Sequence, residues 1–159
     1  MLEEGIAATP FTLPDQRGEP VTLTDLRGRW VVVWWFPKAF TSGCTLEVQG
    51  FRDRFAEFEA EGIVVLGASF DTPADNGAFA DAYGYTGRIL SDVDRAAGEA
   101  YRTARPPDDD YPEYAKRRTF VIDPEGVVRK VYAVKDIPQH PAQILDDIRA
   151  LRAGSRSTA

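Results

Sequence analysis

A chain of 159 residues with 43% hydrophobic content has room for one domain and a core of ordinary size. Its 25 acidic against 19 basic residues leave a net charge of −6, which argues against a general nucleic-acid or anionic-membrane binder. One cysteine rules out an internal disulfide, and one cysteine with one histidine is too little for zinc, so neither a metal nor a cofactor is expected.

The opening Met1-Leu2-Glu3-Glu4-Gly5 is acidic where a signal peptide would be basic, and no run approaches a membrane span. A cytoplasmic protein is the expectation. Phe11-Thr12-Leu13 and Val21-Thr22-Leu23 flank the turn-rich Pro14-Asp15-Gln16-Arg17-Gly18, which predicts a hairpin. Trp30-Val31-Val32-Val33-Trp34-Trp35-Phe36 is an unbroken apolar run, the pattern of a strand covered on both faces. Both Trp34 and Trp35 are therefore assigned to the core. Val48, Phe51, Phe55 and Phe58 then recur at helical spacing, with Gly62 at the end. Cys44 stands four residues before Val48 and joins that stripe in the first turn. Ile63 to Phe70 is a second buried strand.

Asp71-Thr72-Pro73 starts a helix, with Asp71 or Thr72 as cap and Pro73 at the first helical position. A short strand at Arg88-Ile89-Leu90 follows, and Ser91-Asp92 begins a helix to about Tyr101 that Gly98 weakens. Residues 102–116, with Arg105-Pro106-Pro107-Asp108-Asp109-Asp110-Tyr111-Pro112, form an acidic surface loop. Thr119 to Asp123 and Val127 to Val134 pair across the type I turn Asp123-Pro124-Glu125-Gly126. His140 marks a helix boundary and carries no chemistry. Ile144, Leu145, Ile148 and Leu151 give a last amphipathic helix. Residues 154–159 are expected to be a disordered tail, leaving a single domain over 1–153. Helical crossovers between the middle strands imply parallel pairing and the late hairpin adds an antiparallel pair, so an α/β mixed sheet between helices is predicted.

In the first turn of its helix Cys44 meets N–H groups without partners and the positive end of the dipole, and both favour a thiolate. Placement alone is outweighed by the ordinary reading of an unpaired cysteine as a small buried hydrophobe. The neighbouring residues decide otherwise. Pro37, Thr41 and Cys44 stand at the spacing proline, three residues, threonine, two residues, cysteine, within Phe36-Pro37-Lys38, Thr41-Ser42-Gly43-Cys44-Thr45, Glu47 and Phe51-Arg52-Asp53. This pattern resembles the peroxiredoxins, the alkyl hydroperoxide reductase and thiol-specific antioxidant proteins. Its wider context is similar to their bacterioferritin comigratory protein or peroxiredoxin Q branch. Phe11-Thr12-Leu13-Pro14-Asp15, Leu26-Arg27-Gly28 and the stretch from Arg117 to Gly126 extend the likeness from about residue 5 to residue 150.

The resemblance implies a thioredoxin-like fold with an N-terminal β-hairpin extension and a peroxidatic Cys44. A thiolate that attacks one peroxide oxygen needs donors where charge develops on the other. The Thr41 hydroxyl would accept from the peroxide or donate to the thiolate, the backbone N–H groups of Gly43 and Cys44 would serve as further donors, and Pro37 would close the loop over the site. The family also draws an arginine from a distant strand. By position this is Arg117, with Arg118 as the alternative, and Glu47 would orient it.

Two departures matter. Many members of the branch carry a resolving cysteine five residues after the first, and here that position is Gln49. An oxidised Cys44 must therefore be reduced by an outside thiol (thioredoxin, glutaredoxin or a low-molecular-weight thiol) or condense with Cys44 of a second chain. Ala39 and Phe40 stand where relatives often carry acidic residues, which makes the mouth more apolar and points to organic hydroperoxides. The expectation is a one-cysteine peroxidase acting on hydrogen peroxide or organic hydroperoxides, as a monomer or homodimer, with no nucleic-acid or membrane partner. The alternative is a non-enzymatic thioredoxin-fold redox sensor or binding protein using the same cysteine.

Overall fold

The structure, a computed structural model, describes residues 3–157, and of their side chains those of 3–154. Strand β1 (Thr12–Pro14) pairs antiparallel with β2 (Pro20–Thr22) as a separate two-stranded hairpin. The chain then enters β3 (Val31–Trp35), α1 (Ser42–Ala60), β4 (Val64–Ser69), α2 (Pro73–Ala82) and β5 (Arg88–Ser91). It continues through α3 (Ala96–Ala100), β6 (Arg118–Ile122), β7 (Val128–Ala133) and α4 (His140–Ser157). Five strands form one sheet in the order β5-β4-β3-β6-β7. Strands β3, β4 and β5 run parallel, whereas β6 and β7 are antiparallel to their neighbours. This is the expected mixed sheet, with the hairpin beside it.

The apolar run is the central strand, and its alternation builds two cores. Trp30, Val32, Trp34 and Phe36 pack with Val48, Phe51 and Phe58 of α1, Phe79 of α2 and Ile144, Leu145 and Ile148 of α4. Val31, Val33 and Trp35 pack on the other face with Phe11, Leu13, Val21, Leu23 and Tyr101. Trp34 and Trp35 are both fully buried, one in each core. Burial of each such side chain contributes on the order of 1.5–3 kcal/mol, so the strand that leads to Cys44 is held from both sides. Trp34 stacks on Phe51 of α1 with ring centroids 4.7 Å apart, which ties strand to helix just beneath the loop between them.

Three local details differ from, or sharpen, the sequence reading. Thr72 caps α2 by accepting from Asp75 N at 3.2 Å, and Asp71 is freed for another task. The helix expected from Ser91-Asp92 begins instead at Ala96, because Ser91 completes β5 opposite Ser69. The Asp92 carboxylate still serves the helix start: it accepts from the N–H groups of Ala97 and Gly98 at 3.2 and 2.6 Å, across a turn in which Arg95 has φ 66°. Gly98 permits close approach, since a Cβ there would lie 2.5 Å from the ring of Phe70. Finally, α4 continues through residues 154–157 of the expected tail, whereas Thr158 and Ala159 lie outside the described residues. Among the described residues, no helix is long and apolar enough to cross a membrane.

Candidate active site

Strand β3 delivers the chain to Phe36, whose N–H donates to the Ala68 carbonyl at 3.0 Å. Pro37 has no N–H to continue the pairing, and residues 37–41 turn into α1. Thr41 is the residue before the helix, and its carbonyl accepts from Thr45 N at 2.9 Å. Its hydroxyl does not cap the helix. Thr41 Oγ1 donates to the Lys38 carbonyl at 2.7 Å, which commits the proton and leaves the lone pairs as acceptors. The first-turn N–H groups of Gly43 and Cys44 thus have neither helix nor side-chain acceptor.

Cys44 is fully buried. Arg117, immediately before β6, reaches it from across the sheet. Strand β6 runs antiparallel to β3 with Arg118 opposite Trp35, so the residue ahead of Arg118 stands level with the loop that follows β3. Arg117 Nη2 lies 3.5 Å from the Cys44 sulfur, and Nη1 donates to Glu47 Oε1 at 2.6 Å. The space for this guanidinium exists because residue 43 is glycine: a Cβ there would fall 2.7 Å from Arg117 Nη2. Arg118 turns its guanidinium to the Arg117 carbonyl, to which Nη1 donates at 2.9 Å.

Glu47 has no exposed surface, and its Oε2 has no hydrogen-bond partner. Burial pushes its carboxyl up to about 7, against the opposing pull of the Arg117 charge. At Arg117 burial disfavours the charge, but Glu47 and Cys44 outweigh it and the guanidinium is held more firmly protonated than usual. Cys44, Arg117 and Glu47 therefore form one charge-coupled group, with Gly43 as its floor.

Two further residues were not assigned to the site from the sequence. Asp71 accepts from Ala39 N and from Lys38 Nζ, both at 2.9 Å, and so joins the end of β4 to the Cys44 loop. In the sequence its only signal was a capping position. His140 does open α4 as expected, but it is buried, with Nε2 2.8 Å from Thr119 Oγ1 and its ring edge-on to Phe51 and Tyr132. Burial and the nearby Arg117 charge push its imidazole down to about 4.

Residues 5–131 match the AhpC/TSA family. The chain belongs to that family. A Bcp-type peroxiredoxin of Coxiella burnetii is 36% identical over 146 residues, which is 91% of this chain and 97% of that protein. The crystal structure of peroxidoxin BcpB from Mycobacterium tuberculosis superposes with a TM-score of 0.85 at 30% identity, covering 94% of this chain and 98% of its own. The bacterioferritin comigratory protein of Xanthomonas campestris, a protein with alkyl peroxide reduction activity, superposes with a TM-score of 0.81 at 28% identity over 88% of this chain and 90% of its own. The chain is thus a peroxiredoxin of the Bcp and peroxiredoxin Q branch, a thiol-dependent peroxidase on a thioredoxin-like fold. Its substrate is a peroxide and its reductant a thiol. It has one cysteine for both halves of the cycle.

Proposed function

We propose that Cys44 is the peroxidatic nucleophile, with Arg117, Thr41 and the N–H groups of Gly43 and Cys44 as its donor and acceptor frame. The observation that carries this reading is the single guanidinium that touches both the Cys44 sulfur and the Glu47 carboxylate. The Cys44 thiolate attacks the terminal oxygen of R–O–O–H, the O–O bond breaks, and the products are Cys44–SOH and RO⁻, which takes up a proton as ROH. Thr41 accepts from the peroxide O–H, and Arg117 with the open helix N–H groups receives the charge that develops on the leaving oxygen. Glu47 holds Arg117 in that orientation, and Pro37 shields the loop.

A thiol R′SH then displaces water from Cys44–SOH to give a mixed disulfide. A second thiol releases Cys44–SH and R′–S–S–R′. Gln49 cannot resolve the sulfenic acid, so thioredoxin, glutaredoxin or a low-molecular-weight thiol does so in the cytoplasm. A monomer or a homodimer suits this chemistry equally, because one chain supplies Cys44, Thr41, Glu47 and Arg117. The half-exposed Phe40 beside Phe79 and Tyr83 makes an apolar mouth that favours organic hydroperoxides over hydrogen peroxide.

Intact mass spectrometry after one equivalent of peroxide tests the reading, with Cys44→Ser as control. A gain of one oxygen within seconds, absent from the variant, is the expected result. An unchanged mass at neutral pH sinks it.

A further inference from the structure

Cys44 has no exposed surface, yet its cycle has two halves with different demands. A peroxide is small and needs the compact frame around the sulfur. A thiol reductant must bring its own sulfur into line with the Cys44 sulfur, and that requires the loop over Cys44 to move. What fastens this loop is therefore a control point.

Between the end of β3 and the start of α1 the loop is polar-bonded almost entirely to itself: Thr41 N and Oγ1 both donate to the Lys38 carbonyl. Among the described residues, and apart from the Thr41 carbonyl that accepts from Thr45 N as α1 begins, the hydrogen bonds that join residues 37–41 to another part of the fold go to one group, the Asp71 carboxylate. Oδ2 takes the Ala39 N–H and Oδ1 takes the Lys38 ammonium. The Asp71 side chain is 3% exposed while Lys38 is 45% exposed, so the carboxylate is fixed and the lysine arrives from the solvent side. Asp71 is itself held by a buried chain: its N–H donates to Ser69 Oγ, Ser69 Oγ donates to Asn76 Oδ1, and Asn76 Nδ2 donates to Ser91 Oγ. Strands β4 and β5 and helix α2 thereby brace a single carboxylate that grips the loop.

The loop also stores strain that favours release. Phe40 is a non-glycine residue with φ 69° and half of its surface exposed. Left-handed backbone at a bulky residue is costly and persists only where other contacts impose it. Phe40 follows directly on the two residues that Asp71 holds.

We infer that Asp71 is a positioning residue whose grip on Ala39 N–H and Lys38 sets the balance between the two half-reactions: closed for peroxide, released for the thiol. This rests on Cys44 being the peroxidatic residue. Loosening the grip slows the first step by disordering Thr41 and the helix start, and speeds the second by exposing the sulfenic sulfur.

The test separates the half-reactions. The second-order rate of Cys44 oxidation by cumene hydroperoxide and that of Cys44–SOH reduction by dithiothreitol are measured for wild type, Asp71→Ala, Asp71→Asn and Lys38→Met. Asp71→Ala is expected to oxidise about tenfold more slowly and to be reduced several-fold faster. Asp71→Asn, which keeps an acceptor for the Ala39 amide, should shift in the same directions by less, and Lys38→Met by less again. Hydrogen exchange at the Ala39 amide in the reduced protein should quicken in the same order. The asparagine and methionine variants keep the test open should Asp71→Ala not fold. Equal slowing of both half-reactions, or no change in the reduction rate and in Ala39 exchange, overturns the proposal. Failure of wild-type Cys44 to oxidise sinks the catalytic reading instead, and Ala39 exchange still reports on the latch.

Discussion

Arg117 and Cys44 are 73 residues apart in the chain and 3.5 Å apart in space, Nη2 to sulfur, while the other arm of the same guanidinium holds Glu47. A planar fork can meet two partners at once and a lysine ammonium cannot reproduce that geometry. Arg117→Lys is therefore expected to lose about 10²-fold or more in the rate of Cys44 oxidation, as removal of a developing-charge donor does elsewhere. Stopped-flow oxidation with hydrogen peroxide measures it. Arg118→Lys is the control, and an equal loss there would show that Arg117 has no special place.

Gly43 makes an unusual separation between stability and function. In the first turn of a helix, alanine is favoured over glycine by up to about 1 kcal/mol. Here, however, a methyl group would sit 2.7 Å from Arg117 Nη2. The guanidinium is the movable partner, so it swings off the sulfur rather than forcing the helix apart. Gly43→Ala should leave the melting temperature unchanged or slightly raised and cut the oxidation rate at least tenfold. A variant as active as wild type would mean that the Arg117–Cys44 contact is dispensable.

Much of this was readable from local pattern. Trp30 to Phe36 announced a strand buried on both faces, and the stripe from Val48 to Phe58 announced the helix that carries Cys44. Their junction placed the cysteine in a first turn, which is where it lies. The family motif pointed to Arg117, but which of Arg117 and Arg118 reaches the Cys44 sulfur follows from the register of β6 against Trp35, a long-range fact. Asp71 was hidden for a similar reason: a short acid before Thr-Pro looks like a cap, and nothing local says that its carboxylate reaches back 32 residues. The start of α3 was misplaced because Asp92 reaches five and six residues ahead, beyond any capping spacing. His140 looked inert because burial is not written in a single histidine between a glutamine and a proline.

The pH dependence of the first half-reaction is expected to follow Glu47. Its carboxyl titrates at about 7, raised by burial and opposed by Arg117. Above that value it is a carboxylate that anchors the guanidinium; below it, it is neutral and resembles a glutamine. Glu47→Gln should oxidise roughly tenfold more slowly than wild type at pH 8, and the two rates should converge as pH falls to 5.5. Oxidation rates across this range decide the matter. A gap that stays constant with pH would show that the charge of Glu47 does not matter to Arg117.

His140 gives the clearest titration, because it is the only histidine in the chain. Burial first, and the Arg117 charge second, hold its imidazole at about 4, below the usual 6.5. On acidification the unfolded chain takes up its proton near 6.5 while the folded one refuses it until about 4. The neutral histidine therefore contributes stability above pH 6.5, and that contribution is lost as pH falls through the window down to 4. A shift of this size corresponds to roughly 3 kcal/mol at 1.36 kcal/mol per unit. The single histidine ring resonance in a carbon–proton correlation spectrum should stay still between pH 8 and pH 5.5, and His140→Gln should flatten the fall of the melting temperature between pH 6.5 and 4.5. A ring that titrates near 6.5 would place His140 in solvent, away from Thr119.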